Sequence, residues 1–559
     1  MADVSSRGAE FDLEKDTVTF ENLASIQWDV IVIGTGMGGG TIGHQLAQSG
    51  MRVLFLEMGE ALKPEAVQST SFFNKIRKQF DDDLKATELK NAGRLNEKIT
   101  VAKDGSTFKR YLPLGSGPGG STAIYGAALE RMKRIDFECS IKNFDSEKTN
   151  IPQKWPLDFD EFCQYYTRAE IMYRVKGTRD PLDADDIGEL PPPPLACKRD
   201  EALLKTWVDK GLHPYKMHVG IGYIEGCNEC LGKVCARNCK SDALTDALTP
   251  AIQKYDAQLL TNCKVLKLNA DKTSAQSVLA LHDGEERDLS AKIIVVSAGA
   301  IGSPGLLLNS SSEHWPNGLG NDNDQVGRNL MFHASDFFAV WPTKPSSLDG
   351  PKKTIALNDL YVHQDRKLGC FQSVGVNIEQ GHIFQYFTEK LQRWNWPLKN
   401  ISLQLMRVPA YFASFFLRNA AIFASIIEDY PYEFNRVKLE TSSKFGVSIE
   451  YRSSAELKER TKLSRKAIMD LITPCKSLLL TGADNLNFGH SCGTCRMGVS
   501  EKNSVIDTSC KLHGMENIYV VDASFFPTSA GVNPSLTIAA NAIRVADLIV
   551  EKWPDLVRK

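Results

Sequence analysis

Residues 29–60 read DVIVIGTGMGGGTIGHQLAQSGMRVLFLEMGE. Val30 to Ile33 is a short apolar, β-branched run, the pattern of a strand buried on both faces of a parallel sheet. Gly34, Gly36 and Gly39 follow it directly as G-x-G-x-x-G; a helical stretch comes next, and a second apolar strand, Arg52 to Leu56, ends at Glu57. A β-α-β unit with these residues suits a dinucleotide. Gly34 permits the tight turn, Gly36 lets the backbone approach a pyrophosphate, and Gly39 lets helix and strand pack closely. The free amides and positive end of the helix face the phosphates. Glu57 is placed to accept hydrogen bonds from a ribose diol and to repel a 2′-phosphate. The pattern alone does not separate FAD from NAD.

Further β-α features recur along the chain. Ala291 to Ala300 (AKIIVVSAGA) reads as another buried strand, and the C-terminal stretch from Asn517 runs from strand (NIYVVDAS) to helix (LTIAANAIRVADLIVEKW). Residues 65–107 are polar and lysine-rich and read as surface helices and loops, and Pro191 to Pro194 reads as an extended connection. The simplest arrangement is one discontinuous α/β domain interrupted by a second domain. The chain has 559 residues, 42% apolar and 24% charged, with a net charge of −2, which is ordinary globular composition and argues against nucleic acid as a partner. The N-terminus carries charges throughout and lacks the apolar core of a secretory signal, so a cytoplasmic location is expected. The apolar stretch from Ile401 to Tyr430 is interrupted by Arg407 and Arg418, which leaves pieces about half a membrane span long. It reads either as a buried helix of the second domain or as a partly exposed helix that docks peripherally on a membrane or a partner subunit.

Other motifs narrow the chemistry. YLPLGSGPGGSTAIYGAALERM carries a second glycine loop from Gly115 to Ser121; AGAIGSPGLLLNS spans 298–310; VGRNLMFH ends at His333; GHSCGTCRMG spans 489–498; and VVDASFFPTSAGVNPSLTIAANAIRVAD spans 520–547. In this order and spacing they resemble the glucose–methanol–choline (GMC) family of FAD-dependent oxidoreductases, over almost the whole chain. The resemblance implies a Rossmann-like discontinuous FAD-binding domain from 25–150, 225–335 and 485–559, plus a mixed α+β substrate-binding domain from 151–224 and 336–484. It assigns Gly34, Gly36, Gly39 and Glu57 to the ADP half of FAD, and Gly119, Gly120 and Ser121 to the flavin side. It assigns Asp522 and Ala523 to the ribityl–pyrophosphate region, and Asn533, Pro534 and Thr537 to the pyrimidine end of the flavin. Relatives that bind FAD covalently use a histidine just after the second glycine loop. Here Ser121 is followed by Thr122, Ala123, Ile124 and Tyr125, so non-covalent FAD is expected.

The catalytic assignment follows from what alcohol oxidation needs: a base near the hydroxyl and a donor to hold the developing alkoxide. His490, before Cys492-Gly493-Thr494-Cys495, matches the family's catalytic histidine, and Asn533 occupies its partner position. His490 is expected as general base and Asn533 as hydrogen-bond donor. His333 is read as structural, and Cys492 and Cys495 as packing residues rather than a redox pair. Sugars, polyols or glycosides are the leading substrate class. Aliphatic or sterol-like alcohols oxidised with oxygen are the alternative, as is a flavin-containing lyase with no net redox chemistry.

The segment 226–243 holds Cys227, Cys230, Cys235 and Cys239 in a C-x₂-C-x₄-C-x₃-C pattern. Such density suits an iron–sulfur centre or zinc, with free thiols or local disulfides as the alternative. Some GMC dehydrogenases carry a similar insert that holds an iron–sulfur cluster, though proline commonly follows the last cysteine there and Lys240 follows it here. A cluster would favour a dehydrogenase that hands electrons to an acceptor or an electron-transfer subunit.

Overall fold

Five parallel strands form the sheet that carries the glycine fingerprint: β1 (Trp28–Ile33), β2 (Val53–Leu56), β3 (Gln258–Leu260), β4 (Ala291–Val296) and β5 (Ile518–Val520), in the order β5-β4-β1-β2-β3. The structure, a computed structural model, describes residues 20–23, 25–60, 82–139, 149–185, 188–227, 229–344, 346–376, 407–482 and 485–558. Val30 pairs with both Val53 and Ile293, so β1 lies at the centre, and its side chains from Val30 onward are buried, as its continuous apolar run requires. Helix α1 (Met37–Gln48) is the crossover between β1 and β2, and α2 (Gly299–Asn309) follows β4. Helix α3 (Arg407–Leu417) lies in the second part of the molecule, and α4 (Ser535–Arg558) follows β5 and packs on α1.

The second part of the molecule is built on a six-stranded antiparallel sheet, in the order Lys476–Leu479, Phe337–Trp341, Ala421–Ile426, Cys370–Ser373, Ile355–Leu357, Tyr215–Lys216. This is the expected pairing of a Rossmann-like α/β unit with a mixed α+β unit. The polar stretch read as helices and loops is helical over Asp82–Asn91 but not throughout. Within it, Lys98–Lys103 forms a strand that pairs with Ser106–Tyr111 and, in parallel, with Val447–Tyr451. Its burial alternates, with Ile99 and Val101 inside, so a single covered face sufficed to make a strand of a lysine-rich segment. Residues 65–81 of that stretch, and 401–406 of the apolar one, lie outside the described residues.

Helix α3 packs small residues inward and large ones outward. Ala410 and Leu417 sit against Ala339, Ala420 and Ile422, whereas Val408, Tyr411, Phe412, Phe415 and Phe416 are each more than half exposed. The exposed set recurs at helical spacing and forms one continuous outer stripe. The reading as a buried helix is thereby corrected: α3 is partly exposed. Among the described residues no helix is long and apolar enough to cross a membrane.

Candidate active site

A cavity of about 440 Å³ runs from the end of β2 along the tips of β1 and β4 to the start of α4. Its first wall is the glycine fingerprint. Gly34 has φ +91°, which only glycine adopts without strain, and a Cβ on Gly39 would run into the Gly34 carbonyl oxygen. A Cβ on Gly36, by contrast, would meet no protein atom within 4 Å, so this residue turns its bare face to open space at the N-terminus of α1. No side chain caps that helix end, and its amides remain available to an anion.

The second glycine loop closes on the first. Gly119 and Gly120 have φ of +84° and +52°, and a Cβ on Gly120 would stand 2.9 Å from the Gly36 Cα. Glu57 joins the two loops. One carboxylate oxygen accepts from the Thr35 amide (3.1 Å) and hydroxyl (2.7 Å), the other from the amides of Gly59 and Gly117 (both 3.0 Å). Thr35 Oγ1 in turn accepts from the Gly119 amide at 3.2 Å. These bonds engage both carboxylate oxygens of a residue placed on sequence grounds at a ribose, so Glu57 also braces the mouth of the cleft. Asp522 plays a similar part opposite: it accepts from the amides of Gly299 (2.9 Å) and Ser524 (2.8 Å) and from the Ser303 hydroxyl, tying the chain after β5 to the start of α2.

The far end of the cavity holds His490 and Asn533. His490 lies on the strand Leu486–Cys492, which pairs with Met331–Ala334 across an irregular register. Such irregularities re-aim side chains, and here two imidazoles meet. His333 Nδ1 and His490 Nδ1 lie 3.0 Å apart, and His333 Nε2 faces the carbonyl oxygens of Ser529 (3.1 Å) and Ala530 (3.0 Å). Burial pushes His333 down to about 4, and burial, then the proximity of the His333 ring and the Lys353 ammonium, hold His490 well below its ordinary value, so both rings are neutral. The proton positions follow. Two carbonyls require His333 to donate from Nε2, so its Nδ1 is an acceptor, His490 Nδ1–H donates to it, and His490 Nε2 keeps its lone pair. His490 Nε2 has no hydrogen-bond partner among the described residues, and the ring lines the cavity.

Residues 193–335 and 455–542 each match the GMC oxidoreductase family. Paromamine 6′-oxidase of Streptomyces fradiae is 28% identical, with 93% of this chain and 91% of the relative covered. The 2-methyl-1,2-propanediol dehydrogenase of Mycolicibacterium austroafricanum is 26% identical, over 95% of this chain and 96% of its own. The chain belongs to the GMC family of FAD-dependent oxidoreductases. Pyridoxine 4-oxidase from Mesorbium loti shares the GMC fold at a TM-score of 0.58 and 18% identity, covering 93% of this chain and 99% of that one.

The cleft fits the GMC cofactor on its own features. Besides the free face of Gly36, Ser297 Oγ and Asn533 Oδ1 are buried without a partner, and both residues line the cavity, where a ligand's polar groups would satisfy them. Gly34, Gly36, Glu57, Gly120, Ser121, His490, Asp522, Ala523, Asn533 and Pro534 all line it. Gly39 and Gly119 do not; they shape the backbone behind it. Thr537 is fully buried off the cavity and shares a 2.8 Å hydrogen bond with Tyr166, so its side chain anchors α4 rather than bordering a ligand. Cys492 and Cys495 are buried thiols whose pKa values burial pushes up, in keeping with packing. Sequence reasoning missed Ser297 and Lys353. Ser297 follows β4 at the position a strand-to-loop transition makes available to a ligand; Lys353 carries no local signal at all.

The cysteine insert departs from the metal reading. Cys227, Cys230, Cys235 and Cys239 are free thiols; Cys239 Sγ lies 3.7 Å from Cys227 Sγ and 3.4 Å from Cys235 Sγ. Among the described residues no group of three or more His, Cys, Asp or Glu side chains is arranged to hold a metal ion. The organisation expected of a metal comes from Lys240, whose buried ammonium donates to the carbonyls of Ala123 (3.0 Å), Tyr125 (3.3 Å), Cys230 (3.2 Å) and Lys233 (2.7 Å). The residue that replaces the usual proline thus clasps the loop to the segment behind the second glycine loop.

Proposed function

We propose that this GMC protein binds FAD non-covalently along the cleft and oxidises the CH–OH group of a sugar, polyol or glycoside, with His490 as general base and Asn533 as the donor to the substrate oxygen. The single observation that carries the reading is the paired-histidine geometry: with His333 committed to two carbonyls, His490 offers an unprotonated Nε2 to the cavity. Bound FAD would supply the acceptor for the hydride. His490 Nε2 takes the hydroxyl proton as the C–H bond gives up its electron pair, and a carbonyl forms. The Asn533 side-chain NH₂ donates to the oxygen and steadies it as negative charge gathers there. Positioned base catalysis contributes ~10²–10⁴-fold.

Relatives support the substrate class: the paromamine and 2-methyl-1,2-propanediol enzymes above, and the fructose dehydrogenase large subunit of Gluconobacter japonicus, 22% identical. The preference for a dehydrogenase drawn from the cysteine cluster loses its support with the metal reading, and the proposal covers either acceptor. A panel of alcohols and sugars added anaerobically to the purified yellow protein tests it. Bleaching of the flavin by a polyol, with FAD released on acid precipitation, is the expected result. A flavin that no alcohol bleaches, or one that stays with the precipitated polypeptide, contradicts the proposal.

A further inference from the structure

Lys353 is a charged side chain that the reaction above does not use. It precedes Ile355–Leu357 in the antiparallel sheet, is only 4% exposed, and lines the cavity together with Gly126, His490 and Asn533. Its Nζ lies 3.3 Å from where a Cβ on Gly126 would stand, so the ammonium is tucked against glycine backbone. Its backbone amide is bonded to Glu229, but among the described residues the ammonium makes neither a hydrogen bond nor an ion pair. The acidic groups that act on it are committed elsewhere. Glu229 accepts from the backbone amides of Lys352 and Lys353 (both 3.0 Å), and Glu130 accepts from the His218 amide (3.0 Å) and the Tyr215 hydroxyl (3.2 Å). Cys370, which also faces it, is a buried thiol held in its neutral form.

A buried cation with three N–H groups and no acceptor is costly to a fold unless a ligand supplies the acceptor. Two other groups that line the same cavity are also open: the His490 Nε2 lone pair, on a ring that the Lys353 charge acts on, and the Asn533 Oδ1. One hydroxyl cannot satisfy all three. Two oxygens on adjacent carbons can, one donating its proton to His490 and the other accepting from Lys353 and donating onward.

We propose that Lys353 holds the oxygen next to the reacting carbinol, which makes the site selective for neutral vicinal diols and sugars over plain monoalcohols and over alcohols with an amine at that position. This rests on the alcohol-oxidation reading above and adds the recognition element to it. Burial lowers Lys353 to about 8, so it is still an ammonium at neutral pH, and its charge repels a second cation while a bare methylene leaves its N–H groups unpaired. Sites that hydrogen-bond a substrate group reject the analogue lacking it by far more than apolar pockets do.

The test compares hexane-1,2-diol, hexan-1-ol and 2-aminohexan-1-ol on the parent and on Lys353→Met, which keeps the side-chain length. The expected parent preference for the diol is ~10²-fold or more in kcat/KM over either competitor, and Lys353→Met brings it within ~10-fold, mostly through KM for the diol. Equal losses on diol and monoalcohol would overturn the proposal and move Lys353 to the cofactor. Calorimetric binding of the diol to His490→Ala and to His490→Ala with Lys353→Met separates this from failure of the underlying reading. Diol affinity that falls at least tenfold with the lysine supports the assignment even if no alcohol reduces the flavin; affinity that does not change overturns it even if turnover is seen.

Discussion

His333 was read from the sequence as a structural residue, and the geometry gives it a measurable catalytic consequence. Replacing it by leucine removes the acceptor for His490 Nδ1–H at 3.0 Å and the donor that serves the carbonyls of Ser529 and Ala530. A hydrogen bond between neutral groups contributes about 0.5–1.5 kcal/mol net, and a buried donor or acceptor left unsatisfied costs about 1–3 kcal/mol. The first term frees His490 to take the proton on Nε2, where it can no longer act as base. The second acts on residues 529–530, three to four positions before Asn533. Together they predict a ~10²-fold slower flavin reduction, about 2.7 kcal/mol at 1.36 kcal/mol per decade. Anaerobic rapid mixing with substrate measures that step, and the flavin content of the purified variant shows that the fold and cofactor are intact. His333→Gln, whose side-chain oxygen can accept from Nδ1–H, is expected to recover about tenfold of the loss. A His333→Leu protein that is reduced at the parental rate would refute the tautomer argument.

Other consequences follow from the same structure. Glu57→Gln puts an NH₂ group where two backbone amides or Thr35 need an acceptor, so it should weaken FAD retention and lower thermal stability by about 2–4 kcal/mol; equal flavin content and melting temperature would remove the bracing role. Lys240→Met strips the donor from four carbonyls and should destabilise the chain by about 3 kcal/mol, read as a drop in melting temperature, with no change in bound metal. Because His490 is held well below its ordinary value, its neutral, proton-accepting form persists as pH falls. The expected kcat/KM therefore shows no loss near pH 6.5, and a titration there would mean that the base is less buried than described.

Some of this was legible in the chain and some was not, for physical reasons. The unit from Val30 to Glu57 could be read because every constraint on it is local: strand, tight turn, helix end and acidic terminus lie within one stretch. The contact of Gly120 with Gly36, the bond of Glu57 to Gly117 and that of Thr35 to Gly119 needed the fold, since they join residues some 60 to 84 positions apart. Lys353 could not have been found; a lone lysine before a short strand is usually solvated, and only the tertiary structure buries it beside His490. The cysteine insert carries a strong metal signal, four thiols in thirteen residues, which finds no support among the described residues, while Lys240, which ties the loop down, looks in the sequence like an ordinary surface lysine. Thr537 was placed by family position, but its hydroxyl turns away to Tyr166.

The central claim is that His490 Nε2 takes the substrate's proton as the flavin is reduced. Anaerobic single-turnover reduction of the parent and of His490→Ala, both loaded with FAD and mixed with a vicinal diol that bleaches the parent, tests it most directly. The expected result is unchanged FAD content with the reduction rate lowered ~10²–10⁴-fold. Reduction of His490→Ala at the parental rate would contradict it.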